Sequence, residues 1–144
     1  MKREETIDHQ IKMCWHAIYR MYNQQAVQHE STTSMAFVVL NIDPTEGTPA
    51  TKIAPLMGLE SRSLTRMLKS MEEKGFIYRQ KDPNDGRSVR IFLTETGLEK
   101  RRVSREAVIR FNEVIRQSIA TEKLEAFFEV LTKINQLIDS KSIF

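Results

Sequence analysis

Apolar residues recur with helical spacing along most of this chain, and the one stretch that departs from it constrains the fold most. From Phe76 to Lys81 and from Ser88 to Leu93 the period becomes two, with Val89, Ile91 and Leu93 on one face. Between the runs lies Asp82-Pro83-Asn84-Asp85-Gly86, a dense turn signal, so they read as the two arms of a β-hairpin. The expected fold is therefore mainly α, of α+β type, with one small β element in a helical chain.

The helices can be placed around it. Ile7, Ile11, Cys14/Trp15, Ile18 and Tyr22 form a stripe at i, i+3/i+4 spacing, which predicts an amphipathic helix from about Glu5 to Val27. Ser31–Ser34 supplies a loop and an N-cap for a short apolar helix over Met35–Ile42, and Asp43-Pro44-Thr45-Glu46-Gly47 breaks the chain. Thr48-Pro49 reads as an N-cap and first helical residue of a helix to Met57, with Ile53 and Leu56/Met57 inward, a kink or early end at Pro55, and a stop at Gly58. Ser61 is the expected N-cap of the next helix, whose inward stripe is Leu64, Met67/Leu68 and Met71 and whose C′ residue is Gly75. Thr94 opens a long helix with Leu98, Ala107/Val108, Phe111 and Val114/Ile115 inward. Thr121 caps a last one carrying Leu124, Phe127/Phe128, Leu131, Ile134 and Leu137/Ile138.

Composition narrows the function classes. In 144 residues there is one Cys, which excludes an internal disulfide framework and makes the cytoplasm the expected compartment. The longest apolar run, Met35–Leu40, is far short of the roughly 20 residues of a bilayer span, so no membrane partner is expected. The opening MKREETIDHQ has no apolar stretch behind its charges, so no secretory signal is expected. There is no credible Ser/His/Asp or Cys/His order and no phosphate-cradling loop, so neither an enzyme nor a cofactor is expected. His9 and His16 stand two helical turns apart, about 10 Å, too far to share a tetrahedral metal easily.

Charge points elsewhere. Residues 1–59 hold 5 basic and 6 acidic residues, residues 60–102 hold 11 and 7, and residues 103–144 hold 6 and 6. The whole net charge of +3 thus comes from the middle third, the electrostatic footprint expected of a nucleic-acid contact. In that third, a short helix, a Gly turn, a second helix and a hairpin follow in order, the plan of a winged helix-turn-helix. With Leu64, Met67/Leu68 and Met71 turned inward, the second helix presents Ser61, Arg62, Ser63, Thr65, Arg66 and Lys69. Arg grips guanine edges or phosphate, and Ser and Thr suit either. No acid lies between Ser61 and Met71, while Glu72 and Glu73 follow at the far end. The plainer alternative is a solvated helix face; the helix before, the hairpin after and the local charge excess weigh against it.

The stretch from Thr48 to Gly97 resembles the winged helix-turn-helix of the MarR (multiple antibiotic resistance regulator) family of bacterial regulators. The resemblance is carried by SRSLTRMLKSMEEKGFIYR, by the wing DPNDGRSVRIFLT and by the LTETG that opens the next helix. It implies one MarR-type domain over 1–144, with dimerisation helices at 1–30 and 103–144 and a winged helix-turn-helix lobe at 35–102. It implies a homodimer with interleaved terminal helices, acting as a repressor on near-palindromic double-stranded operators. It places Asp85 and Arg87 where an acid holds an arginine over the minor groove. Lys81 and Arg90, basic residues on the arms of the hairpin, are further candidate DNA contacts. Gly86 stands where a second arginine is common. The residues argue for a dimer independently: the terminal helices carry more apolar surface than one small core absorbs, and paired recognition helices about 34 Å apart would read successive major grooves.

Two switches are consistent with that resemblance. A small aromatic or amphipathic anionic effector would meet Trp15, Tyr19, Tyr22, Met35 and Phe37, residues that also suit an ordinary core. A branch of the family senses organic hydroperoxides through a single cysteine on the first helix, the position of Cys14, although Thr33–Leu40 offers no tyrosine to hold a thiolate. A buried structural Cys is the plainer alternative. A winged helix used only for protein contact is the rival to DNA binding. The run Lys100-Arg101-Arg102 with Arg105 reads as a solvated basic face that would add phosphate contacts at most.

Overall fold

A computed structural model describes all 144 residues. The order is α1 (Ile7–Gln28, preceded by a 3-10 turn at Arg3–Glu5), α2 (Thr33–Leu40), β1 (Thr48–Pro49), α3 (Ala50–Met57), α4 (Ser61–Glu73), β2 (Ile77–Lys81), β3 (Val89–Leu93), α5 (Glu95–Ser118) and α6 (Thr121–Asp139). The expected helices and hairpin are present, within a residue or two at most ends. The chain divides into two compact units, Met1–Ala107 and Val108–Phe144, and α5 runs through the boundary.

The first unit holds the core. Val38, Val39 and Ile42 from α2 and the residue run after it meet Ile53 from α3, Leu64, Leu68 and Met71 from α4, and Ile77 and Ile91 from the sheet. Several of these are fully buried, and each contributes roughly 1.5–3 kcal/mol by leaving water. The inward stripe of α4 is the one read from the sequence, with Met67 partly buried beside it. Its end follows the expected pattern: Gly75 sits at φ 74°, and the Phe76 N–H donates to the Met71 carbonyl at 2.9 Å.

Long-range pairing accounts for the differences. Thr48-Pro49 is not a helix start but a third, edge strand, and the sheet order is β1-β3-β2. Thr48 pairs with Ile91 and Pro49 with Arg90, while the Thr48 hydroxyl accepts the Asp43 N–H at 2.9 Å instead of capping α3. Proline is tolerated there because an edge strand leaves one side of its backbone unpaired. Gly47 makes the approach possible: at φ 69°, an added Cβ would lie 2.6 Å from the Ile91 carbonyl oxygen.

Other expectations shift at helix ends and faces. Pro55 removes one donor without ending α3, which runs to Met57 and closes at Gly58 with φ 65°. Leu56 points outward at 62% exposed, because Ile53 and Ala54 already fill the core side of so short a helix. Ser61 and Thr121 are first helical residues rather than N-caps; Glu60 and Ala120 stand in the cap positions without side-chain caps. Leu98 is exposed, since the face of α5 against the core is taken by Gly97, where a Cβ would lie 1.9 Å from the Phe76 carbonyl oxygen. Val89 shares a face with Ile91 and Leu93 but lies beyond the core, toward the hairpin tip, and is exposed.

In the second unit Leu124 is buried, while Phe127, Phe128, Val130 and Ile138 remain exposed. Within the first unit α1 buries no residue, and Ile7, Ile11 and Trp15 are exposed. No helix is long and apolar enough to cross a membrane.

Candidate nucleic-acid interface

The local sequence of α4 aims its polar face at solvent. With Leu64, Leu68 and Met71 fixed in the core, Ser61, Arg62, Ser63, Thr65, Arg66 and Lys69 are all exposed. None of Arg62, Arg66 and Lys69 takes part in the four ion pairs of the chain. The Thr65 hydroxyl donates to the Ser61 carbonyl at 2.9 Å and keeps its lone pairs for an outside donor. The first acid of the helix, Glu72, is held by Arg79 of β2 at 3.0 Å, at the end away from Ser61. The result is a cationic, hydrogen-bonding surface with no internal partner and no acid in its first two turns.

The wing is a seven-residue tip between β2 and β3, ordered by two aspartates acting on backbone. Asp82 Oδ1 accepts the Asn84 N–H at 2.9 Å, and Asp85 Oδ1 accepts the Arg87 N–H at 3.0 Å. The Ser88 carbonyl receives the Asp82 N–H at 2.9 Å and closes the loop. Lys81 and Arg87 are exposed and form no ion pair.

The expected acid–arginine partnership is corrected here. Asp85 holds the backbone of Arg87 and leaves its guanidinium free, while the pair that forms is Asp82 with Arg90, at 3.2 Å. Asp82 is 9% exposed; the Asn84 N–H first, and then Arg90, hold its carboxyl below the usual carboxylate range, against the opposing effect of burial. Arg90 also donates to the carbonyls of Glu46 and Gly47 at 3.3 Å each, so it is engaged within the fold rather than presented with Arg87. Asp82 was the residue that sequence reading missed. Its signal was Asp before Pro-Asn, a side chain placed to accept the N–H two residues on.

The other candidates gather on α1 and α2. Trp15 lies 6.1 Å from both Tyr19 and Phe37, and Tyr22 lies 6.0 Å from Phe37, ring centre to ring centre. Tyr19 shares a 3.1 Å hydrogen bond with Ser34, and burial pushes the Tyr22 phenol up. Cys14 is exposed beside this cluster rather than packed as a core residue. No group of three or more His, Cys, Asp or Glu side chains is placed to hold a metal ion.

The basic run on α5 is arranged differently from α4. Arg102 bonds Glu99 and Glu106, each at 2.6 Å, and is thereby raised above its ordinary value while Glu99 is lowered. Lys100 donates to the His29 carbonyl at the end of α1 and lies 5.3 Å from the Phe76 ring centre. Only Arg105 of that run is exposed without an ion pair.

The short helix α3, the turn at Gly58 and the basic-faced α4, followed by a hairpin with a third strand paired to it, define a winged helix-turn-helix. Residues 32–89 match the model of the MarR family. The chain is 37% identical over 82 residues to the HTH-type transcriptional regulator TtmR of Methylorubrum extorquens (strain PA1), a match covering 57% of this chain and 42% of that protein. The chain spans about half the length of the curated relatives it matches, 42% to 55% of each. In fold it is similar to S. aureus MepR, solved in complex with DNA, at TM-score 0.82 and 21% identity over 91% of this chain and 97% of that one. It is also similar to CouR of Rhodococcus jostii RHA1, solved bound to p-coumaroyl-CoA, at TM-score 0.81 and 20% identity over 93% and 94%.

Proposed function

We propose that this chain is a sequence-specific, double-stranded-DNA-binding transcriptional regulator, a homodimeric repressor acting on near-palindromic operators and released by a small ligand. One observation carries the reading: the exposed face of α4 offers Arg62, Arg66 and Lys69 with no ion-pair partner and no acid between Ser61 and Glu72. A winged helix used only for protein contact tends to replace these cations with acidic or apolar residues, and α4 keeps them. Ser61, Ser63 and Thr65 flank them as donors and acceptors for phosphate or base edges. On the wing, Arg87 is the residue free to reach backbone or minor groove, with Lys81 behind it; Asp85 fixes the turn that carries Arg87.

The exposed apolar faces of α1 and of α6 support dimerisation, since Trp15 and Ile11 on one and Phe127, Phe128 and Ile138 on the other are each exposed in the single chain. A cluster of Trp15, Tyr19, Tyr22 and Phe37 supports an aromatic or amphipathic anionic effector better than a thiol switch, because Cys14 makes no hydrogen bond within the chain that would hold a thiolate. Binding is tested by titrating the dimer against selected and random duplexes at several salt concentrations. Arg66→Ala should relax base preference and cost about 1–3 kcal/mol on the preferred site. Arg87→Ala should weaken all sites alike and lower the salt slope by about one. Binding indifferent to salt and to both substitutions would overturn the reading.

A further inference from the structure

We propose that Arg90 is a positioning residue that sets the wing for DNA without touching DNA itself, an inference that rests on the DNA-binding reading above. Its guanidinium lies across the sheet. On one side Nε and Nη2 reach Asp82 Oδ2, both at 3.2 Å; on the other Nη1 reaches the carbonyls of Glu46 and Gly47. These partners belong to opposite edges: Asp82 is the root of the wing after β2, and Glu46-Gly47 is the turn before β1. Arg90 stands on the central strand β3, paired with Gln80 of β2 and Pro49 of β1. One planar group therefore ties the wing to the far edge of the sheet, a role suited to the fixed fork of Arg.

Two independent features fix the ends of this tie. Gly47 is pressed onto β3 in a conformation and at a distance that only glycine allows, which holds the receiving carbonyls in place. Asp82 uses its other carboxylate oxygen to accept the Asn84 N–H, so the group held by Arg90 is the same one that shapes the first turn of the wing. Loss of Arg90 would release Asp82, then the turn at Asn84 and Asp85, then the backbone that presents Arg87.

The test pairs a DNA-free readout with a DNA readout on Arg90→Gln, Arg90→Lys and Asp82→Asn dimers. Amide exchange at Asn84, Arg87 and Ser88 should quicken about tenfold in Arg90→Gln and Asp82→Asn, with amides of α4 as an internal control of folding. Operator affinity should fall about tenfold in both, the double variant should be no worse than either single one, and the salt slope should stay that of the parent. Arg90→Lys should recover part of the loss, since an ammonium can reach Asp82 but not span both edges. A salt slope lowered by about one with unchanged wing exchange would make Arg90 a phosphate contact and overturn the proposal. Unchanged exchange and unchanged affinity would overturn it equally. If the parent bound no duplex while Arg90→Gln still loosened the wing, the tie would stand and the DNA-binding reading would fall.

Discussion

Two basic helical faces of this chain read alike as sequence and differ as structure. The opening turns of α4 carry Arg62, Arg66 and Lys69 with no ion pair; the opening turns of α5 carry Lys100 and Arg102 with their charges already used. On α5, Glu99 and Glu106 stand three before and four after Arg102, the spacing that brings side chains together on a helix. On α4 the equivalent acids are missing, and the first to appear, Glu72, is turned to Arg79. Positive charge marks an interface where the chain supplies no counter-charge. Where it does, as at Arg102, the charge is spent within the helix itself.

The contrast implies that α5 variants should act on stability and α4 variants on binding. The largest effect is expected where α5 presses hardest on the fold. Gly97→Ala would place a Cβ 1.9 Å from the Phe76 carbonyl oxygen, at the junction between α4 and β2. It should destabilise the protein by about 3 kcal/mol, seen as a thermal midpoint lowered by roughly 10 °C. A midpoint unchanged by Gly97→Ala would show that this contact is not what fixes α5 to the lobe.

Next comes charge reversal on the open face. Arg66→Glu should reduce duplex affinity more than about 100-fold, because an acid would face phosphate, while leaving the thermal midpoint within about 2 °C. Arg102→Ala is the matched control on α5, with affinity expected to stay within about twofold of the parent. Equal losses from both would erase the distinction between the faces.

The smallest effect is the most diagnostic of pairing. Glu99 is held below its ordinary value first by the hydrogen bond from Arg102. Its folded pKa therefore lies below the unfolded one, so its stabilisation is complete above the usual carboxylate range and is lost as pH falls through the lowered value. The small stability difference between the parent and Arg102→Ala should be present at neutral pH and vanish in that acid window. A difference constant with pH would mean that Glu99 and Arg102 do not act as a pair in solution.

What could be read ahead from the sequence follows the range of the interactions. Local signals placed α4 and the hairpin, because the stripe of Leu64, Leu68 and Met71 and the turn Asp82–Gly86 need no distant partner to be recognised. They failed at Thr48-Pro49, which has the signature of a helix start and becomes a strand only because Ile91, far along the chain, offers a free edge. The outward-facing side of α4 was legible for the same local reason. The wing was legible as a shape but not as a network: the spacing of Asp85 and Arg87 lets the acid take either the backbone N–H or the guanidinium, and the folded turn selects the backbone. Arg90 reads as one more basic residue until Glu46 and Gly47 are brought beside it.

The central claim is that the unpaired face of α4 reads base sequence, and selection of bound duplexes from a random pool tests it most directly. The parent protein should enrich two inverted half-sites with centres about 10–10.5 base pairs apart, and Arg66→Ala should lose preference at one position within each half. A pool that returns unenriched, or one whose preferences are the same with Arg66→Ala, would contradict it.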